Sequence, residues 1–378
     1  MQKKELGVYI HIPFCKQKCY YCDFISFANK CDEVPQYIES LKKEIECFDF
    51  SNYNVTSIYI GGGTPSYIDS KYIKQILDKL QVKVEFKDVE ITIEINPGTV
   101  TEEKLKEYKE AGINRVSIGL QSTNNKLLKE IGRIHTYEEF LEAYQLANKI
   151  GFDNINVDLM LALPGQTIQD LKECLDKIIN LNPNHISVYS LIIEEGTKIS
   201  KLLEEKKIVL PEEEQERIMY WYVKDTLELN GYNHYEISNF SKKGKESKHN
   251  MNCWNQEEYI GFGIAAHSYI NNVRFSNIDN MEEYLKNIQE NNNESNINIE
   301  EKQTLENKKN EFMMLGFRKI EGIDIAKFKE KFVDNPLFVY REKLNKLVEE
   351  GLIEVDLNNI KLTNEGLDLA NLVFEEFI

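Results

Sequence analysis

Short β-branched runs alternate over the first 240 residues with segments whose apolar residues recur every three or four positions. The runs 8–12 (Val-Tyr-Ile-His-Ile), 55–60 (Val-Thr-Ser-Ile-Tyr-Ile), 89–95 (Val-Glu-Ile-Thr-Ile-Glu-Ile), 114–120, 154–161 and 185–191 read as strands. Helical spacing separates them. Ile38, Leu41, Ile45 and Phe48 recur through 36–48, Glu102 and Glu103 open 102–111 before Gly112, and Gly151 closes 136–150. Six strand–helix units predict a parallel sheet with right-handed crossovers. They are too few for a closed eight-stranded barrel, so the expectation is an α/β fold, a partial (β/α)6 barrel open on one side.

The pattern changes after residue 240. Segment 276–300 holds eight asparagines with little apolar periodicity and reads as linker. Beyond it, helices near 304–315, 323–331 and 336–350 precede Gly351-Leu-Ile-Glu-Val, Asn358-Asn-Ile-Lys-Leu-Thr and a last helix from Asn364. Helices followed by a short hairpin predict a winged-helix-like α+β unit. The expected domains are a barrel over 1–240, a polar connecting segment over 241–300 and the winged-helix-like unit over 301–378.

Charge narrows the partners. The 378 residues include 46 basic and 63 acidic ones, a net −17, which disfavours nucleic acid and anionic membrane. Segment 301–378 carries 12 basic and 16 acidic residues, so packing or covering a site suits it better than reading DNA. No apolar run is long enough to span a bilayer, and the N-terminus lacks a signal-peptide core. Seven cysteines, an odd number, argue against a disulfide scaffold, and the expectation is a cytoplasmic protein.

Three of those cysteines change the picture. Cys15-Lys-Gln-Lys-Cys19-Tyr-Tyr-Cys22 follows the first strand, a C-x3-C-x2-C spacing. Three thiolates on one loop can hold a [4Fe-4S] cluster and leave one iron open. S-adenosylmethionine could chelate that iron through its amino and carboxylate groups, and an electron from the cluster would release a 5′-deoxyadenosyl radical. The rival reading is zinc, with His11 or Cys31 as fourth ligand, although structural zinc sites favour two separated ligand pairs. Cys31, Cys47 and Cys174 receive no role.

Other polar residues fall where a barrel puts chemistry, at the C-terminal ends of its strands. Gly61-Gly62-Gly63-Thr64-Pro65 follows strand two, Glu94 and Asn96 end strand three, and Gln121 ends strand four. Asp158 lies in strand five and Tyr189 closes strand six. Glycines let backbone N–H groups approach the amino-acid end of a cofactor, or simply make a tight turn. Glu94, Gln121 and Asp158 suit ribose hydroxyls or an ammonium, and Arg133 suits a carboxylate. Each of these alone fits a solvent-facing or structural role equally well. Tyr9, Tyr20 and Tyr21 flank the cysteine loop as a water shield or as ordinary core.

Taken together, these residues resemble the radical S-adenosylmethionine proteins of the coproporphyrinogen-oxidase-like group. The resemblance runs through Tyr9-Ile-His-Ile-Pro-Phe-Cys15, Gly61-Gly-Gly-Thr-Pro, Glu94-Ile-Asn-Pro97 and Ser117-Ile-Gly-Leu-Gln121-Ser. It continues in Asp158-Leu-Met-Leu-Ala-Leu-Pro-Gly-Gln166-Thr, Tyr232-Asn-His-Tyr-Glu-Ile-Ser-Asn-Phe240 and Ile260-Gly-Phe-Gly-Ile-Ala-Ala-His267-Ser. It implies that Cys15, Cys19 and Cys22 hold the cluster. It also implies that Tyr9, Tyr21, Gly61, Gly62, Gly63, Thr64, Glu94, Gln121, Arg133 and Asp158 contact S-adenosylmethionine. The group's decarboxylases resemble C-x3-C-x2-C-x-C and carry an extra N-terminal segment. Here Phe24 stands at the fourth cysteine, and about seven residues precede the first strand, so coproporphyrinogen oxidation is not expected.

Both departures resemble the group's haem-chaperone branch, which carries H-N-x-x-Y-W. This chain reads His249-Asn250-Met251-Asn252-Cys253-Trp254, with Cys253 in place of the tyrosine. The match implies haem binding by His249, Asn250 and Trp254, an acceptor protein for the haem and an electron-donor protein. A neutral imidazole is a natural axial ligand, and a thiolate is another. Two alternatives stay open: radical decarboxylation of coproporphyrinogen III, and a zinc-bearing DNA-binding regulator.

Overall fold

Six parallel strands organise the computed structural model, which describes residues 3–378. They are β1 (Lys4–Ile12), β2 (Tyr53–Gly62), β3 (Glu90–Ile95), β4 (Arg115–Gln121), β5 (Ile155–Leu161) and β6 (His185–Ser190), hydrogen-bonded in that order. The helices α1 (Val34–Cys47), α2 (Ser70–Gln81), α3 (Glu102–Glu110), α4 (Tyr137–Ile150) and α5 (Ile168–Leu181) run between them. Their ends follow local chemistry. Thr136 with Glu139 and Thr167 with Asp170 form capping boxes, and Gly151 ends α4 at φ 91°.

Strand pleating divides the residues between two environments. On β1, Leu6, Val8, Ile10 and Ile12 are buried in the core shared with the helices. Gly7, Tyr9 and His11 face the barrel interior, where Tyr9 lies beside Tyr59 of β2 at 6.4 Å between ring centres. Because β1 and β2 pair Gly7 with Ser57 and Tyr9 with Tyr59, the inward residues stack in layers. The barrel is therefore apolar outside, against helices, and polar within.

Further strands, mostly antiparallel, extend the sheet at both ends. After α6 (Glu213–Leu229), β7 (Asn233–Glu236) pairs with β8 (Asn239–Ser241), which pairs with β6. After α7 (Lys248–Trp254), β9 (Glu258–Phe262) runs parallel to β1. Then come β10 (His267–Ile270), β11 (Val273–Asn277) and β12 (Ile297–Lys302). Edges β12 and β7 do not pair, so the barrel stays open, as the six units predict.

The expected linker at 276–300 is not a linker. It contributes part of β11, the helix α8 (Met281–Gln289) and the start of β12. Met281, Tyr284, Leu285 and Ile288 are buried, and Tyr284 donates to Glu44 of α1 at 2.6 Å. Its asparagines form specific bonds: Asn277 donates to Glu44 at 2.6 Å, Asn280 caps α8, and Asn287 donates to Asn296 at 2.9 Å.

From α9 (Leu305–Gly316) onward a second core forms around Phe312, Phe317, Phe328, Leu347, Ile360 and Phe377. Helices Ile325–Phe332 and Arg341–Glu349 pack with a small antiparallel sheet of 323–324, 353–355 and 359–362. This unit joins the edge of β7 through the Ile237 N–H to Arg318 O bond at 3.0 Å and the Ile320 N–H to Tyr235 O bond at 3.1 Å. No helix among the described residues is long and apolar enough to cross a membrane.

Candidate functional site

The cysteine loop leaves β1 and is tied back by a short pairing of Phe14–Cys15 with Phe27–Ala28. Tyr20 N–H donates to Ile131 O at 3.0 Å, which pins the loop to the segment ahead of Arg133. Cys15, Cys19 and Cys22 are free thiols that border one cavity of about 370 Å3. Burial pushes the Cys15 thiol up and the Cys22 thiol up to about 11, so both hold their protons until a metal displaces them.

Two side chains meet these sulfurs. Thr64 Oγ1 donates to Cys15 Sγ at 3.6 Å, and Arg133 Nη1 donates to Cys19 Sγ at 3.4 Å. Thr64 is held by Asn96 Nδ2 at 2.9 Å, while Arg133 also donates to Gly119 O. Arg133, whose guanidinium is the expected partner of a ligand carboxylate, keeps its Nε buried and unpartnered. The glycines keep the wall close. A Cβ on Gly63 would lie 2.9 Å from Cys15 Sγ, and Gly62 takes φ 110° with a Cβ position 2.5 Å from His11 Nδ1.

Acceptors also line the cavity. Glu94 accepts from Tyr59 Oη at 2.8 Å and Gly62 N–H at 3.2 Å. Burial pushes its carboxyl up to about 7. Asp158 accepts from Ser117 Oγ at 3.0 Å and Asn156 Nδ2 at 2.7 Å, and burial raises it too. Gln121 sits at φ 72°, beside a register shift between β4 and β5 that turns it into the cavity.

The donor set fits a three-cysteine cluster better than zinc. Both nitrogens of His11 are engaged, Nδ1 with Tyr9 Oη at 3.0 Å and Nε2 with Ile25 O at 2.8 Å. Cys31 is exposed and bonds Tyr67 Oη at 3.1 Å. Phe24, where a fourth cysteine would stand, borders the cavity and is 63% exposed. Three thiols therefore share the cavity, and neither proposed fourth ligand, His11 or Cys31, borders it.

Tyr21, Gly62, Gly63, Thr64, Glu94, Gln121, Arg133 and Asp158 border this cavity with the cysteines. Tyr9 and Gly61 do not; Tyr9 lies beside Tyr59, and Gly61 lies against Tyr59 and Glu94. His249, Asn250 and Trp254 are also elsewhere, on α7. The N–H groups of Lys248 and His249 point at Glu90 Oε1 at 2.9 and 3.4 Å. His249 Nδ1 meets Ser57 Oγ at 3.1 Å, its ring stacks on Tyr59 at 5.1 Å, and burial lowers its pKa to about 4. Cys253 is pushed up to about 11 by burial, which keeps it a thiol. Tyr59 and Met160 border the cavity as well, and sequence reasoning missed them. The clue for Tyr59 was parity, since Ser57, Tyr59 and Gly61 alternate with Ile58 and Ile60.

The chain is similar to known proteins in sequence and fold. The Radical SAM superfamily model matches residues 9–178, and the HemN C-terminal domain model matches 303–369. The heme chaperone HemW of Lactococcus lactis subsp. lactis IL1403 is 38% identical over 379 positions, covering 100% of this chain and 98% of that one. HemW of Bacillus subtilis 168 is 37% identical, covering 98% and 99%. The coproporphyrinogen III oxidase HemN of Escherichia coli, described as a radical SAM enzyme, superposes with a TM-score of 0.86 over 100% of this chain and 91% of its own. At 23% identity that likeness is one of fold.

Proposed function

Since the chain belongs to the radical SAM family, in its HemW branch, we propose that it is a haem chaperone that binds haem and delivers it to an acceptor protein. Similarity to HemW over the whole length, C-terminal unit included, carries this reading. The family's cofactors are a [4Fe-4S] cluster and S-adenosylmethionine.

Cys15, Cys19 and Cys22 are the proposed cluster ligands, with Thr64 and Arg133 donating to two of the sulfurs. When bound, the cluster supplies an electron to the sulfonium. Glu94, Gln121 and Asp158 offer acceptors to the cofactor's ammonium and ribose groups, and Tyr21 shields the loop. Tyr9 and Gly61 pack against Tyr59 and Glu94 of the cavity wall. Haem would use His249, with Asn250 and Trp254 completing the motif. Ser57 on Nδ1 fixes the imidazole's orientation and leaves Nε2 as the ligating atom. Free thiols and an oxygen-sensitive cluster suit a reducing cytoplasm with an electron-donor protein.

Anaerobic reconstitution followed by iron and sulfide counting tests the cluster, with four irons per chain expected. Haemin titration should then give a Soret band that His249→Ala weakens. Turnover of coproporphyrinogen III to protoporphyrinogen and carbon dioxide would replace the chaperone reading with the decarboxylase.

A further inference from the structure

On the other side of β6 lies a second cavity, of about 430 Å3. Tyr189 borders the cofactor cavity, while Ser190, the next residue along the pleat, borders this one. One wall is α6, and the other is the C-terminal unit. Both walls mix charge with apolar surface.

Two arginines reach the cleft in different bonding states. Arg217 Nε pairs with Asp368 at 3.3 Å, and Asp368 also accepts from Trp221 Nε1 at 2.7 Å. Arg318 makes no ion pair within 4.0 Å among the described residues, although burial raises the carboxyl of Glu236 and the charge of Arg318 pulls it back down. Its guanidinium lies over the indole of Trp254, 4.4 Å from the ring centre. Trp254 Nε1 is buried and unpartnered. Stacking holds this guanidinium in place at the cleft, where its Nη groups, unlike the buried Nε, are open to an acceptor from outside the chain. Leu372 and Phe374 beside it supply an apolar face.

We propose that this cleft docks a tetrapyrrole edge-on, with a propionate carboxylate on Arg318 and the macrocycle against Leu372 and Phe374. Glu213 and Glu216 border the same cleft, so a macrocycle with two carboxylates fits better than one with four. The proposal takes its ligand class from the haem reading. It does not depend on His249, because carboxylate recognition needs no iron. Trp254 thereby acquires a role separate from iron ligation, as the platform that holds Arg318.

Iron-free protoporphyrin IX, titrated into the full-length protein and followed by fluorescence, isolates the cleft. Arg318→Gln should weaken protoporphyrin IX and haemin alike, by about tenfold. Arg318→Lys, which keeps the charge, should recover much of that loss. Leu372→Trp, at a half-exposed position, should fill the cleft and weaken both ligands with Arg318 intact. Four-carboxylate coproporphyrin should bind more weakly than protoporphyrin IX to the wild type. His249→Ala should weaken haemin alone. Wild-type affinity for protoporphyrin IX in both Arg318→Gln and Leu372→Trp overturns the cleft, and so does haemin binding without protoporphyrin binding. The haem reading survives either result. A wild type that binds no haemin sinks both.

Discussion

Glu94 shows how one side chain can work against the fold and for the site. Burial lifts its carboxyl from the ordinary 4.5 to about 7, against the pull of Tyr59 and Gly62. An acid raised in this way binds more protons folded than unfolded between pH 4.5 and 7. Stability therefore falls as pH climbs through that window, and the deficit persists above it. Glu94→Gln should then stabilise the metal-free protein by roughly 1–3 kcal/mol at pH 8 and change little near pH 4.5. Denaturant unfolding at the two pH values checks this, and equal stability at pH 8 would refute it. If the ionised form is what receives the cofactor's ammonium, S-adenosylmethionine affinity should rise about tenfold from pH 6 to 8. Thr64 makes a second case. Its hydroxyl on Cys15 Sγ favours the more negative, reduced cluster, so Thr64→Val should lower the midpoint potential in an EPR-monitored redox titration. An unchanged potential would mean that the bond does not persist in the loaded protein.

Among elements, the loop after β2 depends on a residue far from any motif. Lys104 of α3 donates to three carbonyls, Ser66 O at 2.8 Å, Ile68 O at 2.9 Å and Thr99 O at 3.2 Å. It thereby joins the glycine loop to the turn after β3. Lys104→Met leaves those acceptors to water and should cost about 1–3 kcal/mol in urea unfolding, with faster loss of cluster iron to a chelator. Iron loss at the wild-type rate would show that the loop holds itself. No periodicity marks Lys104, because its effect comes from three backbone oxygens brought together by folding. The six parallel strands were legible for the opposite reason: each carries a local apolar pattern and a glycine or cap at its crossover. Segment 276–300 was not. Its helix offers a single short stripe, Met281, Tyr284, Leu285 and Ile288, and β12 is an edge strand whose alternating Ile297 and Ile299 stay exposed. The cavity's rim was readable from polar residues at strand ends. The position of His249, one ring below it on Tyr59, needed the packing of α7 under β2.

At the scale of the molecule, the winged-helix-like unit turns basic side chains toward the barrel. Arg318 lies on Trp254, Lys319 donates to Asn255 Oδ1 at 2.7 Å, and Lys331 donates to Asn255 O at 3.4 Å and Gln256 O at 2.9 Å. Glu311 binds Arg274 and Gln256 from the same side. Three of the unit's twelve basic side chains therefore grip the end of α7 and the residues after it rather than facing phosphates. What remains outward belongs to a chain of net charge −17. Duplex DNA should consequently show no mobility shift with this protein even near 50 mM salt, where phosphate contacts are strongest, corresponding to a Kd weaker than about 10⁻⁴ M. A shift that disappears with added salt would show a basic face free for phosphate and would detach this unit from the grip on α7. Its absence is what the grip of Arg318, Lys319 and Lys331 on α7 and the residues after it predicts.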